Sequence, residues 1–292
     1  MCRDQKRWFL YVDFMTTPIK KIAVPLDPSK FAKAATIRAC EIARAHDASL
    51  TGMTVLDSPG IRTHLQPTEP YMPMVIEEGI REFINDAQQQ IAEIRQQFAS
   101  TCDELKAEHI EPQFEGLPAS VILDASALHD LIVIGLRTFF HFETTLKPGS
   151  SLTQLLKRTV TPVLAVPVEE PDRPFQRALI TYDGSMNAAR TLREFVAFAE
   201  PFDFEITVAT AETDERMALW LLEEASGYLR AHGVEKFDSL HLNEPTIPEY
   251  ILDEYDLIAA GIHSGRFFRD RLVGSLTTNM IERCDTALFL SH

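Results

Sequence analysis

Short apolar runs alternate along this chain with longer segments in which apolar residues recur every three or four positions. The runs are rich in Val, Ile, Leu and Ala and end at Asp, Gly or Pro, which is typical of buried strands. The longer segments have the period of helices that pack one face on a core. Strands that alternate with helices predict an α/β protein, in which helices cover both faces of a parallel sheet.

The predicted elements follow the same order in both halves of the chain. The strands of the first half are predicted at residues 20–26, 48–56, 110–115, 130–135 and 162–167. Its helices are predicted at residues 30–46, 74–107, 117–129 and 150–159, and residues 57–72 are predicted to be irregular. The strands of the second half are predicted at residues 177–182, 204–211, 236–242, 256–261 and 286–291, with helices between them.

The second half repeats the motifs of the first. Each half opens with an apolar strand that runs into Asp-x-Ser, at Asp27 and at Asp183. Each half closes with a strand that ends in glycine, a loop, a Gly-Ser pair, a helix and a last apolar strand. The glycines that end these strands, Gly135 and Gly261, lie 126 residues apart. A repeat of this length indicates a duplicated domain and not the unit of a solenoid.

Two domains are therefore predicted, at residues 18–168 and 175–292. Residues 169–174 are predicted to form a linker, because two prolines and four charged residues can neither continue a strand nor build a core. Residues 1–17 lie outside the repeat. They are interpreted as an N-terminal extension, since the sequence from Met15 onwards reads like a natural start.

The first copy is longer than the second between its opening Asp and its closing glycine. The excess is placed around residues 58–71 and in the long helix that follows them. Two interpretations of this helix stay open: its apolar stripe packs on the sheet, or the helix projects and pairs with another subunit. The stripe consists of Ile76, Ile80, Phe83, Ala87, Ile91, Ile94 and Phe98.

Composition excludes several classes of partner. The net charge of −15 argues against binding to nucleic acid or to an anionic membrane surface, which need a basic face. No apolar run approaches the roughly 20 residues of a membrane span, and the N-terminal apolar stretch is too short for a signal peptide. The four cysteines lack metal-ligand spacing. We expect a cytoplasmic protein with reduced thiols.

The second glycine loop carries the residues that indicate a ligand. A strand ends at Gly261, where the absence of a Cβ lets backbone amides approach a bound group closely. Gly274 and Ser275 then begin a helix, whose free N–H groups and dipole attract anions. Three arginines lie in the loop between them, at residues 266, 269 and 271. The loop suits a polyanion such as a triphosphate, although the alternative is that its glycines only form turns.

The loop resembles the nucleotide motif of the universal stress protein family, which is Gly-x-x-Gly, nine residues, and Gly-Ser or Gly-Thr. Gly261 begins the motif here, Ser264 stands in place of the second glycine, and nine residues starting at Gly265 precede Gly274 and Ser275. A side chain at Ser264 crowds the loop, and Gly265 beside it can supply the missing backbone freedom.

The resemblance extends over both copies, from residue 18 to 168 and from 175 to 292. It implies two tandem universal-stress-protein-like domains, each an open, Rossmann-like, five-stranded parallel sheet flanked by helices. It also implies binding of ATP or AMP, as in some members of the family, and no firm catalytic activity, as in most. We assign no catalytic residue and no metal ligand.

The resemblance assigns a nucleotide site to the second copy. Asp183, at the end of the first strand, would receive the adenosine, and Thr210 would line the adenine pocket. The implied cofactor is ATP, or AMP or ADP, and a magnesium ion arriving with it would offset its charge. The ribose and phosphates would be surrounded by Gly261, His263, Ser264, Gly265, Gly274, Ser275 and Thr277.

The first copy departs further from the motif. Thr138 holds the position of the second glycine, Pro28 follows the opening Asp, and the loop is one residue longer. The loop after Thr138, residues 139–145, carries aromatic residues in place of arginines. An alternative interpretation is that this loop makes subunit contacts or binds another ligand. We interpret this copy as a weakened or lost nucleotide site, whose remaining positions are Asp27, Gly135, Gly149 and Ser150.

The predicted function is an adenine-nucleotide-binding stress-response or signalling module, with nucleotide bound mainly in the second domain. A nucleotide-independent scaffold stays open, and the departures from the motif favour it. A slow ATPase also stays open, with Asp270 as the carboxylate in the loop. Each copy ends with an apolar strand, and such strands commonly pair domain to domain in the family that the chain resembles, so the resemblance implies that the two domains pair within the chain as a pseudo-dimer. Homodimer formation and a protein partner are not decided by the sequence.

Overall fold

The computed structural model describes residues 18–64, 73–138, 150–168, 174–243, 247–262 and 286–292. The first half contains β1 (Lys21–Pro25), α1 (Lys30–His46), β2 (Ser49–Leu56), α2 (Ser58–His64), α3 (Pro73–Leu105), β3 (His109–Ile110), β4 (Gln113–Glu115), α4 (Pro118–Ser126), β5 (Leu131–Gly135), α5 (Ser150–Leu156) and β6 (Val163–Val166). The second half contains β7 (Arg177–Thr181), α6 (Met186–Ala199), β8 (Glu205–Ala211), α7 (Glu215–Ala231), β9 (Phe237–Leu242), α8 (Glu249–Leu252), β10 (Leu257–Gly261) and β11 (Ala287–Ser291).

The strands form one sheet that runs through both halves. Its order is β3, β2, β1, β5, β6, β11, β10, β7, β8, β9, and β4 pairs with β2 outside this path. Pairing is parallel within each half, as predicted for an α/β fold. The two halves meet where β6 and β11 pair antiparallel, with Phe289 opposite Leu164. The predicted pairing of the closing strands is thus confirmed, while the domain boundaries stay predictions.

Equivalent aspartates hold equivalent strand ends in the two halves. One carboxylate oxygen of Asp130 accepts hydrogen bonds from the backbone N–H groups of Lys20 at 2.8 Å and Lys21 at 2.9 Å. In the second half, Asp256 accepts from Gln176 at 3.0 Å and from Arg177 at 2.8 Å. The repeat seen in the sequence is therefore a repeat of specific contacts that start the first strand of each domain.

Two predictions for the first half were wrong. Part of the segment predicted to be irregular forms α2, because Asp57 accepts the backbone N–H of Gly60 at 2.8 Å and Ile61 packs on the side of α3. The strand predicted at residues 110–115 is divided into β3 and β4. Pro112 lies between them and has no N–H group to donate to a ladder.

The stripe of α3 faces the core along the C-terminal part of the helix. Ala87, Ile91 and Phe98 are buried, and α3 packs against α1 and β2. Ile80 and Phe83, nearer its N-terminus, are half-buried. The core-facing interpretation is confirmed for the buried residues.

Helices α1 and α6 join the two halves beside the β6–β11 pair. The Nε2–H of His46, at the end of α1, donates to the carbonyl oxygen of Phe198 in α6 at 3.0 Å, since a carbonyl can only accept. The guanidinium of Arg38 lies over the ring of Phe175, 4.0 Å from its centroid. One apolar core continues from the first half into the second.

The position of His46 predicts a pH-dependent stability. Its side chain is 9% exposed, and burial lowers its pKa below the value of the unfolded chain. As the pH falls below about 6.5, the unfolded state takes up a proton before the folded state does, so stability is lost. Between pH 7.5 and 5.5, we expect the free energy of unfolding of His46→Gln to fall by about 1 kcal/mol less than that of the parent protein. The variant keeps a donor for the carbonyl of Phe198.

Thermal and urea unfolding at both pH values measures this effect. The pKa of His129 is also lowered by burial, and that of Glu194 is raised by burial, which acts with the opposite sign. Both groups are present in both proteins, so their contributions cancel when the variant is compared with the parent. Equal losses of stability in the two proteins would contradict the role given to His46.

Candidate functional site

The carboxyl ends of β7, β8 and β10 lie together at one edge of the sheet. In the sheet, β7 lies between β8, the next strand along the chain, and β10. The order of strands reverses at this point, which is where open α/β sheets bind ligands. Three residues predicted to belong to the site follow or end these strands: Asp183, Thr210 and Gly261.

Asp183 is buried with half of its carboxylate unpaired. The residue is 1% exposed, and Oδ1 accepts the backbone N–H of Ser185 at 2.9 Å. Gly184 between them has φ 72°, a left-handed conformation that glycine adopts without strain. Ser185 then caps α6 by accepting the N–H of Ala188 at 3.1 Å. Oδ2 of Asp183 has no hydrogen-bond partner among the described residues.

Thr210 presents a second unpaired polar atom at this edge of the sheet. The N–H of Tyr182 donates to the carbonyl of Ala209 at 2.9 Å, which places Tyr182, the residue before Asp183, next to Thr210 in the neighbouring strand. Thr210 is fully buried, and its Oγ1 also has no partner in the part of the chain that the structure describes. A buried polar atom without a partner costs about 1–3 kcal/mol, which a ligand with matching groups would recover.

Tyr182 stays a neutral phenol beside the site. Burial raises its pKa, and the hydrogen bond from its hydroxyl to Glu224, at 2.9 Å, raises it further. The hydroxyl proton is donated to Glu224, and the raised pKa means that Tyr182 does not act as an acid near neutral pH. Within the described ranges, no cluster of three or more His, Cys, Asp or Glu residues could hold a metal ion.

Gly261 is required by packing against α6. A Cβ at this position would lie 2.7 Å from the backbone nitrogen of Ala188 and 2.7 Å from the carbonyl carbon of Asn187. The side-chain amide of Asn187 donates to the carbonyl of Ile262, which fixes the strand end to the helix. Gly135 is similarly enclosed in the first half, where an added Cβ would clash with the Cβ of Phe31 and lie 2.8 Å from the carbonyl carbon of Phe31. The close approach predicted for a ligand is here an approach to a helix N-terminus.

The equivalent site of the first copy is paired differently. Asp27 is 2% exposed, and its Oδ1 accepts both the N–H of Ser29 at 3.0 Å and its hydroxyl at 2.5 Å. Asp27 lines a cleft of about 850 Å³ between α1 and α3. The hydroxyls of Thr54 and Thr138 are buried without partners among the described residues.

One candidate was missed from the sequence, and several lie outside the described residues. Thr54 is the counterpart of Thr210, and the common offset of 156 residues between Asp27 and Asp183 could have identified it. Ser150 begins α5 as predicted. The structure does not describe the other predicted loop residues, which are Gly149, His263, Ser264, Gly265, Gly274, Ser275 and Thr277.

No helix among the described residues is long and apolar enough to cross a membrane.

No curated protein matches the chain. A universal stress protein from Archaeoglobus fulgidus DSM 4304 is similar in structure over 95% of this chain and 97% of its own, with 17% identity and a TM-score of 0.65. A functionally unknown protein from Pseudomonas aeruginosa PAO1 is similar over 94% of this chain and 93% of its own, with 15% identity and a TM-score of 0.53.

A universal stress protein from Archaeoglobus fulgidus, solved in complex with dAMP, covers 50% of this chain and 96% of its own, with 19% identity and a TM-score of 0.35. The sequence model of the Universal stress protein family matches residues 18–167, just over half of the chain. Together with the repeated α/β fold, this match shows that the chain belongs to the universal stress protein family.

Proposed function

We propose that the chain is a nucleotide-binding stress-response or signalling module, which holds ATP, ADP or AMP mainly in its second domain. One observation carries the proposal. The unpaired Oδ2 of Asp183 lies at the end of β7, and the unpaired hydroxyl of Thr210 lies at the end of the neighbouring strand β8. Both atoms are buried at the edge of the sheet where the strand order reverses.

The charge of Asp183 determines which end of a nucleotide it accepts. A buried carboxylate repels phosphate and accepts hydrogen bonds from neutral donors, such as ribose hydroxyls or the amino group of adenine. The nucleoside therefore lies at Asp183 and Thr210. The phosphates extend towards the loop that follows Gly261, where the sequence places three arginines and the Gly274–Ser275 helix start.

Isothermal titration of nucleotide-stripped protein with Mg-ATP tests the proposal. We expect one site of micromolar or tighter affinity. Asp183→Asn keeps the shape of the side chain and removes its charge, so affinity should fall about 10- to 100-fold. The matched variant Asp27→Asn should leave the affinity unchanged.

Two glycine variants locate the phosphates. Gly274→Val should abolish binding, because its side chain would block the start of the helix, whereas Gly149→Val in the first copy should not. Binding that survives Asp183→Asn and is lost in Asp27→Asn would move the site to the first domain. The absence of binding heat over a range of temperatures would favour a nucleotide-independent scaffold.

A further inference from the structure

Two buried cysteines touch between the helices that line the cleft of the first domain. Cys40 belongs to α1 and Cys102 to α3, and both side chains are fully buried. Their sulfur atoms lie 3.6 Å apart in an S–H···S contact. They are separated by 62 residues in the sequence, so the packing of α1 against α3 alone brings them together. A disulfide needs sulfur atoms at about 2.05 Å, so its formation requires the two sulfur atoms to move about 1.5 Å closer together.

The cleft reaches the helix turns that carry both thiols. Thr36 and Ile37, one turn before Cys40 on α1, line the cleft. Thr101 and Leu105 on α3, which flank Cys102, line it from the other side. A volume of about 850 Å³ admits hydrogen peroxide, which is little larger than water. The residues next to both thiols on their helices therefore line a cleft that a peroxide can enter.

The two thiols differ in acidity in a way that gives each a role. The contact between the two sulfur atoms lowers the pKa of Cys40, while the same contact and burial raise the pKa of Cys102. Arg44 also lowers the pKa of Cys40, against the nearby charge of Glu41. Cys40 is thus the thiol that ionises first and attacks an oxidant, and Cys102 is the thiol that keeps its proton.

We propose that Cys40 and Cys102 form a reversible oxidation site, in which a hydroperoxide converts the two thiols into a disulfide that fastens α1 to α3. The Cys40 thiolate attacks one peroxide oxygen, forming an S–O bond and breaking the O–O bond, and the released hydroxide becomes water with the thiol proton. The Cys102 sulfur then attacks Cys40, forming the S–S bond and releasing hydroxide, which takes the second thiol proton. Two thiols and one hydrogen peroxide give one disulfide and two waters, and a dithiol reductant reverses the change.

The site is specific to the first domain and does not depend on nucleotide binding by the second. The position equivalent to Cys40 in the second copy is Val196, which is buried and cannot oxidise. The disulfide would join the two walls of the cleft beside Asp27. Oxidation would thus fasten two helices of the first half, and the second half has no equivalent pair of thiols.

The test uses the full chain with Cys2→Ser and Cys284→Ser, so that Cys40 and Cys102 are the remaining cysteines. The protein is treated with hydrogen peroxide, unfolded with N-ethylmaleimide, and measured by mass spectrometry. We expect a loss of about 2 Da without alkylation, and recovery of both thiols after dithiothreitol. After trypsin, the peptide of residues 39–44 should be linked to that of residues 96–106.

Cys40→Ser in the same background is the control, and it should give neither the mass loss nor the linked peptide. The oxidised parent should melt about 5 °C higher than the reduced parent, because the cross-link restricts the unfolded chain. Thiols that stay alkylatable after peroxide treatment would overturn the proposal. Oxygen adducts without a linked peptide, or a lower melting temperature on cross-linking, would overturn it as well.

Discussion

Gly261→Ala should lower the free energy of unfolding by about 3 kcal/mol. The new Cβ would lie 2.7 Å from two backbone atoms at the start of α6, in Asn187 and Ala188. Backbone atoms of a packed helix cannot rotate away as the end of a long side chain can. The strand and the helix must therefore separate, which loosens the fully buried contacts of Ala259 and Phe195.

A second glycine provides the matched control. Gly227 lies inside α7, and a Cβ there would meet no atom within 4 Å. Because alanine is the better helix former, Gly227→Ala should raise the free energy of unfolding by about 0.5–1 kcal/mol. Urea unfolding followed by circular dichroism measures both variants. A Gly261→Ala protein within 0.5 kcal/mol of the parent would show that α6 can move away without loss.

The same experiment on Gly135 tests whether the repeat extends to energetics. A Cβ there would lie 2.4 Å from the Cβ and 2.8 Å from the carbonyl carbon of Phe31 on α1. We expect a loss similar to that of Gly261→Ala. From the sequence, Gly261 was interpreted as an approach to a ligand, because a glycine needed for a helix and one needed for a phosphate look the same without coordinates.

The secondary structure followed closely from the sequence where local signals agree. Helix α1 has the predicted bounds, residues 30–46, because Ser29 caps its start and Asp47 adopts a left-handed conformation at its end. The core strands were found within about two residues, since buried parallel strands are continuous apolar runs. The family resemblance implied that the apolar closing strands pair, and the structure adds that β6 and β11 pair antiparallel.

The predictions that failed concern contacts between residues that lie far apart in the sequence. Helix α2 depends on its packing against α3, and such packing leaves no local signal in residues 57–72. In the candidate site, the strand register brings the ends of β7 and β8 together, so Asp183 and Thr210 lie at the same edge of the sheet, as parallel pairing predicts. The loop contributions from Gly274 and Ser275 stay predictions, because these residues lie outside the described ranges.

The family match illustrates which features of the sequence identify a fold. It covers residues 18–167, the copy whose glycine loop departs further from the motif. A match over a whole domain depends on the pattern of buried strands and helices, which the first copy keeps. A nucleotide motif depends on a few loop residues, which can change while the core stays the same. Membership of the family and retention of a ligand are therefore separate questions for each domain.

Phe289→Ala should lower the free energy of unfolding of the whole chain by about 3–5 kcal/mol. The side chain is fully buried on β11, with its ring 5.7 Å from Phe195 edge-to-face and 5.2 Å from Phe198. Its backbone pairs with Leu164 of the first half and with Ala259 of the second. Truncation removes aromatic contacts and leaves a cavity at the junction of the two halves.

The control is Trp220→Ala, which removes a large ring that is 56% exposed on α7 and should change stability by less than about 1 kcal/mol. Because the sheet and one apolar core continue across β6 and β11, the parent should unfold in a single transition. Phe289→Ala should shift this transition as a whole, since Phe289 contributes to the contact that couples the halves. Two separate transitions in the parent protein would show instead that the paired strands join domains that fold independently. The loss caused by Phe289→Ala would then be confined to the unfolding of the second domain.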